Sequence, residues 1–324
     1  MAENVWILAE CLGGMLSDET FEMLPLGREL AQALGEKAEA ILIGHEVAEL
    51  APELKLADNV LCMDDPVFAG QPADVIAEAV AALIKDRNPR CLLIPMTNAS
   101  WDVLGLIPAK AGLPFISLCS NASVAGETIR VQSLLFGGKI QVDSEVGESP
   151  TILGIQPGSH ARERDAAAPV PQVELVTNPI DGSTPITFVK MLEPEAGDVD
   201  ITQHDVLIAV GRGIRSEDNL ELAQDLADAL GGAVCSSRPV IDQGWLPLTR
   251  QVGKSGANVT PKLYLALGIS GAPEHVEGIK GSDLIIAVNT DPDAPIFNVA
   301  KYGIEEDLFD ITEALIEKIH AVKV

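Results

Sequence analysis

The sequence predicts an α/β protein of two domains. The N-terminal α/β domain combines a parallel sheet with a mixed or antiparallel portion, and the C-terminal domain is doubly wound and Rossmann-like. Three observations carry this. Short apolar runs alternate with amphipathic helical patterns at both ends of the chain, which is the rhythm of βαβ units. In the middle, strand-like runs follow one another with no long helical pattern between them. At residues 193–200 the stretch Glu-Pro-Glu-Ala-Gly-Asp-Val-Asp is acidic, broken by Pro and Gly and free of apolar periodicity. It sets domains at 1–192 and 205–324, joined by a linker at 193–204.

In order, residues 5–9 form an apolar strand, and Leu26, Leu30, Ala33 and Leu34 fall at helical spacing before Gly35, a fitting C-terminal stop. Residues 40–43 and 60–63 read as buried strands. Between Pro72 and Asp86, the positions of Val75, Ile76, Ala79, Val80, Leu83 and Ile84 predict a helix that Pro opens and Asn88-Pro89 closes. A strand at 91–94 and a helix at 100–111 follow. Strand-like runs then come at 115–119, 129–135, 140–142, 151–155 and 186–192, with an exposed loop at 161–171. The second domain restarts with the strand 206–210 and a helix from about residue 216, with Leu222, Leu226 and Leu230 on one face and Gly231-Gly232 at its end. Strands are expected at 233–235, 263–267 and 284–288, and Leu308, Ile311, Leu315 and Ile319 mark a closing helix.

The 324 residues suffice for two cores, and an aromatic content of only 4% leans toward Ala/Val/Ile/Leu-rich layers. A net charge of −26 disfavours nucleic acid and anionic membranes. It leaves a partner with a basic face, or simple solubility, as its reason. The five cysteines are scattered without a C-x-x-C, as expected of reduced thiols and not of a disulfide framework, a zinc site or an iron–sulfur cluster. No stretch approaches 18 apolar residues, and the start runs almost directly into a strand. No membrane insertion, signal peptide or transit peptide is therefore expected, and the reading is cytoplasmic. G-x-S-x-G, H-E-x-x-H and Walker A patterns are absent, so no catalytic or metal residue is assigned.

The chemistry concentrates in turns that follow the second domain's strands. Gly211-Arg212-Gly213 sits between a strand and a helix, where a pyrophosphate rests on helix N-terminal amides, but Ser216 stands where the dinucleotide fingerprint has its third glycine. By itself it is as readily a tight βα turn. Ser237-Arg238-Pro239 offers a hydroxyl and a fixed cation, though a lone arginine is more often a surface residue. Gln251-Val252-Gly253-Lys254-Ser255-Gly256 brings amide, ammonium and hydroxyl donors beside two glycines; alone it is a polar loop. Gly268-Ile269-Ser270-Gly271 is a second candidate phosphate-binding turn with His275 a helical turn beyond, and an isolated helical histidine is usually structural. Asn289 and Asp291 follow the next strand, where turn-making Asx chemistry is the plain reading. Five polar turns on successive strand ends make a crevice suited to a long, phosphate-bearing ligand.

Residues 206–308 closely resemble the C-terminal domain of the electron transfer flavoprotein alpha subunit. The matching pieces include Gly211-Arg212-Gly213, Ser237-Arg238-Pro239, Asp242-Gln243-Gly244-Trp245, Gln251-Val252-Gly253, Gly268-Ile269-Ser270-Gly271-Ala272, His275, Ala287-Val288-Asn289, Ala294-Pro295-Ile296-Phe297 and Tyr302-Gly303. The N-terminal half matches more loosely: Leu135-Phe136-Gly137-Gly138 is similar, but the helix at 100–111 lacks the family's basic Gly-Arg-Asp-like pattern. The resemblance implies an obligate heterodimer with a beta subunit and one FAD in an extended pose. It also implies an electron-carrying, non-enzymatic role between a flavin dehydrogenase of the acyl-CoA type and a quinone-linked oxidoreductase, as in fatty acid β-oxidation. Carried over by position, Arg238 is similar to the arginine over the isoalloxazine, Ser255 to the hydroxyl near flavin N5 and His275 to the histidine on the O2 side. Gln251, Gly253 and Lys254 fall in the flavin turn. Arg212, Ser237, Gly268, Ser270, Gly271, Asn289 and Asp307 resemble contacts to the pyrophosphate and adenosine. Reduction puts negative charge at N1/C2=O, which a nearby Arg or His⁺ favours.

Two departures stand out. Lys254 occupies a position where the family more often has Gln, and Pro273-Glu274 replaces an apolar-Gln pair, so Lys254 is expected to compensate for Glu274. In the family the flavin domain swivels, which makes residues 193–200 the expected hinge. One variant is a bifurcating complex oxidising NADH, which depends on whether the beta subunit holds AMP or a second FAD. The alternative from another class is an NAD(P)-binding catalytic domain of transhydrogenase-like or deacetylase-like topology.

Overall fold

The computed structural model describes residues 3–322, except 71, 137, 148–149, 165–166, 181–185, 187 and 190–198. Its chain forms two compact units, Met1–Met191 and Leu192–Val324.

The first unit is built on strands β1 Val5–Ala9, β2 Cys11–Leu12, β3 Met15–Leu16, β4 Ala38–Gly44, β5 Asn59–Asp64, β6 Cys91–Pro95, β7 Phe115–Ala125, β8 Thr128–Leu135, β9 Ile140–Glu145, β10 Thr151–Ile155 and β11 Gln172–Leu175. Nine of them form one sheet in the order β11-β5-β4-β1-β6-β10-β7-β8-β9, and β2 pairs with β3 in a small hairpin. β1, β4, β6 and β10 are buried on both faces, which is why they read as unbroken apolar runs. Helices α1 Thr20–Leu34, α2 Ala73–Arg87 and α3 Trp101–Ala111 cover this parallel part. The meander β7–β8–β9 is antiparallel, and β8 alternates buried and exposed residues, as a one-sided sheet should. One polar triad crosses the core: the Trp6 indole and the Asn59 amide both donate to the buried Glu39 carboxylate, each at 2.8 Å.

The second unit adds β12 Val206–Val210, α4 Leu220–Leu230, β13 Ala233–Ser236, α5 Arg238–Asp242, β14 Leu263–Leu267, α6 Pro273–Glu277, β15 Ile285–Asn289, β16 Tyr302–Glu305 and α7 Leu308–Val322. Its five strands are all parallel, in the order β13-β12-β14-β15-β16. Two buried clusters lie on the sheet, one around Tyr264, Val252 and Ile296 and one under α4 and α7 around Leu226, Val210 and Leu308.

Several boundaries differ from the sequence reading. α1 starts at Thr20 and carries Pro25 in its second turn, where the ring costs one main-chain hydrogen bond that the buried face of the helix outweighs. α4 starts at Leu220 rather than near 216: Arg215 has φ 70°, Ser216 is extended, and a short 3₁₀ turn at Glu217–Asn219 intervenes. β7 runs on to Ala125, and β11 and β16 are additional strands, both mostly exposed and without the apolar runs that betray buried ones. The strand expected at 186–192 and the linker at 193–204 fall largely outside the described residues; Ile186, Phe188 and Val189 are described and lie in no strand.

Glu39→Ala removes the acceptor of the buried Trp6 indole and of the half-buried Asn59 amide. It is expected to cost the first unit about 2–4 kcal/mol, read as a lower urea midpoint by Trp6 emission.

Candidate functional site

Strand order alone places the second unit's crevice. β12 is joined on one side to β13 and on the other to β14, so their connections leave in opposite directions and open a gap at the carboxyl ends of β12 and β14. Gly211 and Gly213 leave β12 at this point, and Gly268 leaves β14. The two turns touch backbone to backbone: Gly211 N–H donates to Leu267 O at 2.9 Å and Gly213 N–H to Gly268 O at 3.1 Å. A Cβ on Gly211 would collide with the Gly268 carbonyl, and one on Gly213 would come 2.7 Å from Gly268 Cα. Gly268 itself has φ 64°, with Gly213 Cα and Leu308 Cδ2 at 2.7 and 2.8 Å from any added Cβ. Glycine is needed here for close approach and for conformation.

The other turns lock onto this pair. Ser237 N–H donates to Val210 O at 3.0 Å, which seats α5 and its first residue, Arg238, beside β12. Arg238 is exposed, and its 3.6 Å pairing with Asp242 is too loose and solvated to hold it. Gln251 pairs in backbone with Ser236, and its side-chain amide donates to Ser255 Oγ at 2.8 Å across the turn. That turn closes on α6, with Lys254 N–H donating to Glu274 O at 2.7 Å. Ile296 N–H donates to Ser270 O at 2.9 Å, and the Asn289 amide donates to Ile269 O at 2.8 Å while its oxygen caps Asp291 N–H.

The structure therefore gathers Arg212, Ser237, Arg238, Gln251, Gly253, Lys254, Ser255, Gly268, Ser270, Gly271 and Asn289 on turns at the carboxyl ends of one parallel sheet. Asp307 follows β16, accepts Arg215 Nη2 at 2.7 Å and caps α7 through Phe309 N–H; that amide and Arg215 hold its carboxyl below the usual range. His275 is placed differently from the exposed polar residues. Its ring is buried, with Nδ1 3.1 Å from Val252 O and Nε2 2.9 Å from the Tyr264 hydroxyl. Burial depresses its pKa to about 4, so the ring is neutral at physiological pH. Tyr264, the partner of His275, was hidden from sequence reasoning inside an apolar strand run. Arg215, the partner of Asp307, was also missed, because no residue pattern around it marks its positive-φ backbone. All five cysteines are buried, and burial pushes Cys62 and Cys119 to about 11 and Cys91 and Cys235 to about 12, so these thiols are poor nucleophiles.

FAD fits these residues. Glycine-bared backbone for a pyrophosphate sits beside the cations Arg212, Arg238 and Lys254, and the buried Ser236 hydroxyl at the end of β13 lacks a partner. Among the described residues no group of acidic, His or Cys side chains could hold a metal, and no helix is long and apolar enough to cross a membrane.

Such a crevice defines an α/β protein that binds a nucleotide cofactor. Two family models match: the electron transfer flavoprotein domain over residues 5–178 and the electron transfer flavoprotein FAD-binding domain over 200–280. The electron transfer flavoprotein subunit alpha of Thermoanaerobacterium thermosaccharolyticum is 33% identical over 327 residues, 99% of each chain. The acryloyl-CoA reductase electron transfer subunit beta of Anaerotignum propionicum is 33% identical over 98% of this chain and 95% of its own. Protein FixB of Clostridium saccharobutylicum is 32% identical over 97% and 95%. The chain belongs to the electron transfer flavoprotein alpha subunit family, and its C-terminal unit is an FAD-binding, electron-carrying domain.

Gly268→Ala is expected to cost about 2–4 kcal/mol from strain and backbone collision, and to abolish FAD retention on gel filtration. His275 contributes a pH dependence of definite sign. Unfolding raises its pKa from about 4 to 6.5, so the unfolded chain binds an extra proton between those values and stability falls as pH is lowered through them. Urea titrations across this window should show a loss of about 3 kcal/mol that is absent from His275→Asn.

Proposed function

We propose that this chain is the FAD-carrying subunit of a cytoplasmic heterodimer that takes electrons from an acyl-CoA-type flavin dehydrogenase and passes them to a quinone-linked oxidoreductase. The observation that supports the reading is the crevice itself: the turns after β12, β13, β14 and β15 and the 251–256 turn interlock, with glycine at their close approaches and the exposed cations Arg212, Arg238 and Lys254 among them. Bound FAD supplies the redox chemistry. In this reading Arg212, the Gly211–Gly213 backbone and the Ser270 turn bind the pyrophosphate, and Asn289 and Asp307 the adenosine end. Ser237, Gly268 and Gly271 shape the channel. Arg238 and Lys254 stand by the ring as fixed positive charges, and Ser255, oriented by Gln251, offers a hydroxyl. Residues 193–200 are proposed as the hinge on composition alone. A beta subunit completes the heterodimer.

Likeness to an acryloyl-CoA reductase electron transfer subunit favours a second reading, in which the assembly serves a reductase of CoA thioesters and holds a second FAD in the beta subunit. Counting FAD per heterodimer after co-expression separates the two: one FAD supports the simple carrier and two the second reading. A colourless protein that binds NAD(P) instead would overturn both.

The cations are expected to favour the reduced, more negative flavin. Arg238→Ala should lower the first one-electron potential by about 60 mV or more, a tenfold change in the equilibrium, and Lys254→Gln should lower it by less. Reductive titration with a reference dye measures both, and unchanged potentials in Lys254→Gln would remove that residue from the ring.

A further inference from the structure

The first unit has a crevice of its own that the FAD reading does not use. β1 lies between β4 and β6; the chain leaves β1 toward β4 and leaves β6 toward β7 on the other side, so the carboxyl ends of β1 and β6 part as those of a ligand crevice do. A cleft of about 40 Å³ lies there. Leu8, Ile43, Ile76, Ile94 and Val103 give it an apolar lining, and Glu10 and Ser100 bring the oxygen atoms. The hydroxyls are already committed. Ser100 Oγ donates to Pro95 O and accepts from Thr97 N–H at 3.1 Å, while Thr97 Oγ1 accepts from Ser100 N–H at 3.1 Å and donates to Glu10 Oε2. The Ser17 side chain bonds the same carboxyl. Two donors leave a carboxylate with acceptor sites to spare. Among the described residues no Lys, Arg or His lines the cleft or pairs with Glu10. The other titratable groups at hand are Glu19, just before α1, and the buried Cys11 thiol, and neither supplies positive charge. Burial raises the Glu10 carboxyl above its ordinary value, and Glu19 adds to the rise. A carboxylate set against an apolar cleft without a counter-ion is relieved by any ligand that brings a cation. Apolar surface also continues past the cleft, since Leu12 and Trp101, next in the chain to the lining residues Cys11 and Ser100, are both exposed.

We propose that this cleft is a second ligand site, in the first unit, and that it takes a small organic ammonium whose charged head meets Glu10 and whose alkyl body lies on Ile43, Ile76, Ile94 and Val103. The cleft has room for about two or three water-sized groups, enough for the ammonium and its first methylenes. The rest of the body extends over the exposed apolar rim. An anion is turned away by Glu10, and a nucleotide would find no cation for its phosphates. The inference is independent of the FAD crevice, which lies in the second unit.

Calorimetric titration of the full chain, co-purified with its partner subunit and loaded with FAD, tests this with n-butylammonium as the probe at about 0.15 M salt. Wild type should bind it saturably with a dissociation constant below about 10 mM, and should bind n-butanol, of the same length without the charge, at least about tenfold more weakly. Glu10→Gln keeps the shape of the carboxyl while removing its charge, and should weaken n-butylammonium at least about tenfold. Ala99→Leu, at an exposed position that lines the cleft, should weaken it as much by filling the mouth, and it decides the matter if Glu10→Gln does not fold. FAD content should be unchanged in both variants, so failure of this site is distinguishable from failure of the FAD reading. Binding that survives either substitution would overturn the proposal, because the general attraction of cations to a chain of net charge −26 requires no cleft. Equal binding of n-butanol and n-butylammonium would overturn it too, as would a wild-type complex that shows no saturable binding up to about 10 mM.

Discussion

The second unit depends on one close approach, that of the turn after β12 to the turn after β14. These two strands are neighbours, and their connections depart in opposite directions, so their carboxyl ends are where a long ligand can enter the sheet. A side chain on Gly211, Gly213 or Gly268 would push the turns apart and fill the gap at once. With glycine at all three, the turns bond directly through Gly213 N–H and Gly268 O, and Leu308 at the start of α7 packs onto them. In the first unit the tight glycines meet side chains rather than a second turn, Gly27 against Ile7 and Gly44 against Val47, and the core is secured by strands buried on both faces and by the Trp6–Glu39–Asn59 triad.

Electrostatics then distinguishes the crevice from the rest of the surface. A chain with net charge −26 repels a pyrophosphate at long range, so binding has to come from local geometry within a Debye length of about 8 Å. Arg212, Arg238 and Lys254 are exposed cations on three different turns of the same sheet end. Two nearby acids are engaged elsewhere, Asp307 with Arg215 and the α7 cap and Asp291 with the Asp293 amide, while Asp242 stands a loose 3.6 Å from Arg238. The sheet end thus gathers fixed cations within an acidic molecule, while the surrounding acidity favours partners with basic faces.

Strands buried on both faces were legible because burial on both faces writes an unbroken apolar run; β1, β10, β12 and β14 lie where those runs predict, and β6 within one residue. The edge strands β11 and β16 were illegible for the complementary reason: an exposed edge needs no apolar pattern, and its pairing comes from the neighbour already in place. The start of α4 was misread because Leu222 to Leu230 signals a helix but says nothing of the left-handed Arg215 that delays it. Glycine spacing disclosed the crevice turns. It did not disclose which polar residues face outward, since His275 and Ser270 lie in similar Gly-flanked contexts and only tertiary packing sends one ring into the core.

That difference suggests how the site's labour is divided. A buried, neutral pair of hydrogen bonds from Tyr264 through His275 to Val252 can fix a loop without adding charge, because no group in it has to ionise. Exposed cations on the same loops can respond to a ligand's charge because water has not been stripped from them in advance. Had the cation been buried and the loop anchor exposed, desolvation would have discharged the first and solvent would have loosened the second. The observed arrangement keeps rigidity in the core and charge at the mouth, the combination that a tightly held redox cofactor with a changing charge requires.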